Sequence, residues 1–184
     1  MKTGLVIVDI QNDYFTGGNM ELVGMEAAAA NASELLAYFR SAGRPLYHVQ
    51  HLSIRPGATF FLPDTPGAQI HETVKPRPGE LLVQKHFPNA FRETTLLEAV
   101  RKDGAEHLAI CGAMSHMCID ATTRAAFDLG FKCTVIEDAC ATRDLTFNGE
   151  RVAAEDVHAA FMAALSVPYA SVTSAKDFIT TIRS

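Results

Sequence analysis

An α/β fold built on a six-stranded parallel sheet with helices on both faces is predicted by three features of this 184-residue chain. Short apolar runs alternate with longer Ala- and Leu-rich segments. The runs are apolar throughout, as strands buried on both faces are. Several of the Ala- and Leu-rich segments stop at or near a glycine, the usual punctuation of a helix C-terminus.

The elements follow in order. Residues 4–9 form a continuous apolar run ending in Asp9, the first strand. Residues 25–42 stop before Gly43 and read as a long helix. Residues 45–50 and 81–84 read as the second and third strands. Residues 95–102 read as a helix, with Thr95 and Glu98 at capping-box spacing and Gly104 beyond the end. Residues 107–112 are a fourth strand, 117–129 a helix closed by Gly130, and 132–137 a fifth strand. Residues 153–165 read as a helix and 170–173 as a short sixth strand, with Ser174 and Asp177 placed to cap a last helix. Such an order calls for right-handed crossovers and one three-layer, Rossmann-like domain over residues 1–184.

One connection is long. Residues 55–80 hold Pro56, Pro63, Pro66, Pro76 and Pro78, and the apolar pair Phe60-Phe61. Loops of this length are functional or disordered. The aromatic pair favours an ordered lid or an oligomer contact.

Composition narrows the function. A hydrophobic fraction of 48% with 20% charged residues is that of a globular protein with a substantial core. The net charge of −5 and the lack of a basic cluster argue against nucleic acid or an acidic membrane surface as partner. No apolar run approaches the roughly 18–20 residues that span a bilayer, and the N-terminus lacks a signal-peptide pattern. A cytoplasmic protein is expected. The cysteines, Cys111, Cys118, Cys133 and Cys140, match no CxxC or zinc spacing and are expected to stay reduced. Cys111 and Cys133 read as small buried hydrophobes. Cys140 falls in an expected loop, and its role stays open.

Cys118 is different. It lies near the start of the helix expected after the fourth strand, where unpaired N–H groups and the helix dipole favour a thiolate. Parallel sheets bind ligands beyond the carboxyl ends of their strands. Asp9 ends the first strand, Lys85 follows the third and Cys118 follows the fourth, so all three fall at one sheet edge. Alone, Asp9 reads equally as a turn residue, Asp13 as a loop tie, and Lys85 as a snorkelling surface lysine. Together they describe a nucleophile with a base and a cation beside it.

At these residues the chain resembles the isochorismatase-like cysteine hydrolases, which include nicotinamidases and N-carbamoylsarcosine amidohydrolases. The resemblance is carried by Asp9-Ile10-Gln11-Asn12-Asp13-Tyr14-Phe15, by Lys85 with Asn89-Ala90-Phe91 and Thr94, by the segment from Gly112 to Cys118, and by Glu137-Asp138-Ala139-Cys140-Ala141-Thr142. It implies Asp9 as general base, Lys85 as the cation that lowers the thiol pKa, and Cys118 as nucleophile. It also implies a cis peptide at Ala113–Met114 and an oxyanion hole from the Met114 and Cys118 N–H groups. Ser115-His116 departs from the Thr-Asp or Thr-Asn step of many members.

Nicotinamidases hold a metal with an Asp after the second strand and two histidines. Here His48 and His51 have no such carboxylate, so neither metal nor cofactor is expected. Gln11, Phe15, Phe60, Phe91 and His116 are the candidate pocket residues, with Phe61 a further candidate wall, while His71 and His158 read as caps or packed imidazoles. The implied activity is hydrolysis of a C–N bond in a small amide or carbamoyl substrate, by a homo-oligomer (dimer or tetramer). A binding or redox-sensor protein with a reactive cysteine, and a vinyl-ether hydrolase, are the alternatives.

Overall fold

The computed structural model describes residues 1–183. Six parallel strands form the central sheet: β1 (Thr3–Val8), β2 (Leu46–His51), β3 (Leu81–Lys85), β4 (His107–Ala113), β5 (Lys132–Ala141) and, after a hairpin of β6 (Leu145–Phe147) and β7 (Glu150–Val152), β8 (Ser171–Thr173). Their order is β3-β2-β1-β4-β5-β8. The helices are α1 (Met25–Ser41), α2 (Leu96–Lys102), α3 (Asp120–Asp128), α4 (Ala154–Ser166) and α5 (Ala175–Arg183).

Strand periodicity divides the core into two layers. Successive side chains of a strand point to opposite faces. On β1, Leu5 and Ile7 join the layer under α1 and α5, whereas Val6 and Val8 join the layer under α2, α3 and α4. On β4, Ala109 and Cys111 face the first layer, and Leu108 and Ile110 the second. The continuous apolar runs are therefore strands sandwiched between helices, as the sequence predicts.

The chain winds from β1 outward through β2 to β3, then returns to place β4 on the other side of β1. This reversal is the topological switch point, and the crevice it opens lies beyond the carboxyl ends of β1 and β4. Gly112 makes the approach possible. It pairs with Val8 and has φ +123°, and a Cβ there would overlap the Val8 carbonyl. Only glycine combines that dihedral with that proximity.

Four local expectations need correction. β5 runs on to Ala141 through an irregularity that shifts its register against β4 between Ile110 and Gly112, so Cys140 is buried in a strand rather than a loop. The β6–β7 hairpin is additional; it turns at Asn148-Gly149, both at positive φ, as a tight hairpin turn requires. Thr95 makes no side-chain cap, and the Thr94 hydroxyl accepts the Leu96 N–H instead. The helix expected from residue 117 starts as a wide π turn over Ser115–Ile119, and regular α-helix begins only at Asp120. The Ser174 cap forms as expected, its hydroxyl accepting the Asp177 N–H at 3.2 Å.

His107 is buried between Thr3 (3.2 Å) and Thr134 (2.9 Å), and burial first, with the Lys132 charge adding, pushes its pKa down to about 4 from 6.5. The unfolded chain therefore takes up a proton below pH 6.5 that the folded chain refuses. Stability is expected to be full above pH 6.5 and to fall as pH drops toward 4. Urea unfolding at pH 7 and pH 4.5 should show a smaller difference for His107→Gln than for wild type. An equal difference would remove His107 as a source of acid sensitivity.

Candidate active site

The ends of β1, β2, β3 and β4 bring four side chains to one point. Asp9 follows β1 with φ +53°, a left-handed conformation that costs a non-glycine residue ~1–2 kcal/mol and that Asp tolerates better than most. Its N–H bonds to the Val49 carbonyl at 3.0 Å, and its own carbonyl accepts the Gln11 N–H at 3.0 Å. The sharp turn this produces leaves the carboxyl fully buried.

Lys85, the last residue of β3, is also fully buried. Its Nζ lies 2.7 Å from Asp9 Oδ2 and donates to His51 Nδ1 at 2.9 Å and to Cys118 Sγ at 3.2 Å. An ammonium has three N–H donors and no acceptor, so three contacts use its whole capacity. The side chain does not snorkel to solvent, the reading of a strand-end lysine taken alone, but turns inward beside Asp9 and Cys118, as the three residues read together imply. Neither Asp9 oxygen has a hydrogen-bond partner of good geometry among the described residues; Oδ2 is held by the Lys85 ion pair and Oδ1 is free of it.

Cys118 sits in the π turn after β4. Ile119 N–H reaches back to the Met114 carbonyl at 3.2 Å, the five-residue bond that widens the turn. The Ala113–Met114 peptide is cis. Behind the turn, the buried Ser115 hydroxyl lies 2.8 Å from His158 Nδ1 and 3.3 Å from the Ala141 carbonyl. Ser115 and His158 thus brace the turn from the α4 side.

The electrostatics differ from a helix-terminus thiolate. Burial, followed by the Asp9 charge, pushes the Cys118 thiol up to about 12, against the opposing pull of Lys85. The resting sulfur is therefore a thiol. Burial likewise raises the Asp9 pKa, with Lys85 opposing, which makes this carboxylate a stronger base than a surface one. Burial, and then the Lys85 charge, drive His51 down to about 3, so its ring is neutral and Nδ1 is free to accept from Lys85.

Asp9, His51 and Cys118 are also the one group among the described residues whose donor atoms converge as metal ligands would, all within 4.8 Å of one another. The Lys85 ammonium contacts all three. His48, by contrast, bonds Glu80 at 2.9 Å; three residues before His51 on the same strand, it faces the opposite side of the sheet. The two histidines do not form a pair.

A cavity of about 460 Å³ opens above the sulfur. Tyr14, Phe60, Phe61 and Phe87 give it aromatic walls, and Met114, Met117 and Cys118 its floor. Arg92 covers the Phe87 ring at 3.6 Å. Thr122 on α3 ties down the neighbouring wall by accepting the Ala90 N–H at 3.0 Å.

The family model for the isochorismatase domain matches residues 3–177. This chain belongs to the isochorismatase family. An uncharacterized isochorismatase family protein of Bacillus subtilis is 49% identical over 97% of this chain and 99% of its own. A streptothricin hydrolase of Streptomyces noursei is 37% identical over 77% of this chain and 50% of its own. A crystal structure from Oleispira antarctica assigned as an isochorismatase hydrolase superposes with a TM-score of 0.93 at 52% identity, covering 97% of this chain and 96% of that one. The protein is a hydrolase of this family.

In this isochorismatase-family chain, Asp9, Lys85 and Cys118 meet, and Met114 and Phe60 line the cavity. Four expected pocket residues do not line it. Gln11 is buried as a clamp: its Nε2 donates to the His51 and Ala68 carbonyls at 2.9 and 2.7 Å, and its Oε1 accepts the His51 N–H at 2.7 Å. Phe15 stacks on His71 at 3.6 Å, because the 3₁₀ turn Asn12–Tyr14 sends Tyr14 to the cavity instead. Phe91 stacks with Phe131, and His116 Nδ1 contacts the Thr142 hydroxyl at 2.6 Å. Asp13 is a loop tie, accepting the Phe61 N–H at 2.6 Å and the Asn19 side-chain amide at 2.9 Å.

Phe61, one of the aromatics expected to wall the pocket, does line it. Sequence reasoning left His51 open and missed Tyr14 and Phe87. His51 was detectable, because the edge rule that found Lys85 on β3 applies equally to the end of β2. Asp9→Asn removes the charge that, after burial, raises the thiol pKa, and leaves the Lys85 charge unopposed. The Cys118 thiolate absorbance at 240 nm, read as a difference against Cys118→Ala, should then titrate at lower pH than in wild type. An unchanged or higher midpoint would show that the Asp9 charge does not act on the sulfur.

Proposed function

We propose that this chain is a cofactor-independent thiol hydrolase cleaving a C–N bond of a small amide or carbamoyl compound through a thioester. One observation carries the reading. A single buried ammonium contacts both a carboxylate and a cysteine sulfur beneath an apolar cavity.

In this mechanism Asp9 is the general base. The sulfur accepts a hydrogen bond from Lys85, so its own S–H is left for the carboxylate, and Asp9 Oδ1 is without another partner. Lys85 remains positive throughout and offsets the negative charge whether it rests on oxygen or on sulfur. Neutral His51 holds the third ammonium proton and thereby aims the other two.

The sulfur attacks the substrate carbonyl as its proton passes to Asp9. The N–H groups of Met114 and Cys118 receive the oxyanion; each such donor is typically worth about 10²–10³ in rate. The C–N bond breaks, and the amine leaves with the proton from Asp9. A water molecule, deprotonated by Asp9, then releases the acid from the thioester and restores the thiol.

A redox-sensor reading needs a standing thiolate. A thiol held up near 12 by burial favours proton transfer during turnover instead.

Ammonia release measured across small amides, ureides and carbamoyl compounds should identify substrates, with a covalent acyl adduct on Cys118 visible by mass spectrometry after rapid quench. Cys118→Ala should abolish release and adduct while keeping the wild-type unfolding midpoint within a few degrees. Turnover surviving in Cys118→Ala but lost in Asp9→Asn would instead indicate vinyl-ether-type chemistry without the thiol.

A further inference from the structure

The cavity has a polar rim that the proposed chemistry does not use. Arg55 opens the long loop four residues after the end of β2 and lines the cavity. Its guanidinium has no carboxylate, ring or hydrogen-bond partner among the described residues, whereas Arg40, Arg124 and Arg151 are each paired with an acid. Arg55 is solvent-exposed at the cavity mouth, and its charge lies near enough to the site to act on His51, after burial and the Lys85 and His86 charges. His86 lies on the same rim, its Nδ1 directed to the Leu52 carbonyl at 2.8 Å.

The charge balance of the cavity is one-sided. None of its lining residues is an Asp or Glu. Asp9, beneath the floor, is neutralised by Lys85. The Phe87 ring also carries the Arg92 guanidinium at 3.6 Å. In a chain of net charge −5, this pocket is a local positive region with low-dielectric aromatic walls, an arrangement that focuses its field on an anion. A guanidinium is also suited to bidentate recognition of a carboxylate.

Resting on the hydrolase reading of Cys118, we infer that the substrate is an organic acid. Its apolar body lies among Tyr14, Phe60, Phe61 and Phe87, its scissile amide meets the Cys118 sulfur, and its carboxylate meets Arg55 at the rim. A neutral amide of the same shape leaves Arg55 unpaired and loses affinity.

Binding tests this independently of turnover. In the Cys118→Ala protein, 3-phenylpropanoate and 3-phenylpropanol are titrated by calorimetry at low salt. The acid is expected to bind about 10–100-fold tighter than the alcohol, the range of one charge-assisted hydrogen-bonded pair. Arg55→Gln in that background should abolish the difference, Arg55→Lys should keep part of it, and 0.5 M NaCl should shrink it. Alcohol affinity should be unchanged by Arg55→Gln. In the enzyme with its cysteine intact, amides bearing a remote carboxylate should exceed their methyl esters in kcat/KM, with the Arg55→Gln loss mainly in KM. Equal binding of acid and alcohol, or an acid preference that survives Arg55→Gln, would overturn the inference. Acid-selective binding without ammonia release from any amide would leave the rim site standing and overturn the hydrolase reading instead.

Discussion

The site is organised by one ammonium group removed from water. A buried lysine is costly to keep charged unless its donors are matched. Here each of its three protons has a counterpart, and each counterpart comes from a different strand end or the turn after one. The arrangement is mutual. Asp9 needs a cation to remain ionised in a fully enclosed position, and the sulfur needs one beside it when it gives up its proton. Asp9, His51 and Cys118 are thus held by Lys85, which in turn holds its charge because they surround it.

The sheet makes this convergence possible. A parallel sheet points all its carboxyl ends the same way, and the reversal between β1 and β4 leaves a gap there that no crossover helix fills. Rigid strand ends supply the chemical groups, and loops supply the cavity walls. The proposed chemistry and the cavity walls therefore rest on different parts of the fold: the first on β1 to β4, the second largely on Tyr14 and the loops around residues 53–61 and 86–88.

That division explains what could be read from the sequence. Apolar runs such as residues 4–9 mark strands because burial on both faces leaves no room for polar residues. Once the strands are placed, the edge rule brings Asp9, Lys85 and Cys118 together. Loop side chains follow no such period. Tyr14 and Phe15 are adjacent aromatics in one turn, and only the 3₁₀ geometry decides that the first lines the cavity and the second stacks on His71. Gln11 looks like a site residue because it is polar beside Asp9, yet its hydrogen bonds go to backbone. The Asn148-Gly149 hairpin carried a standard turn signal, but its three-residue strands are too short to show alternation. The thiol shows a related limit: helix position and the Lys85 charge are visible in a sequence, whereas the depth of burial that raises its pKa is not.

Gly112 gives the structure a particular brittleness. Its missing side chain is what lets β4 lie against the Val8 carbonyl, one residue before Asp9 and two before the Met114 floor. The separation of Asp9 and Cys118, the proposed base and nucleophile, is thus fixed by the absence of a methyl group. Changes in the rim loop can alter which molecule enters without moving the reacting atoms. A single carbon added at residue 112 would push the two strands apart and misalign Asp9, Lys85 and Cys118 while every one of them was still present.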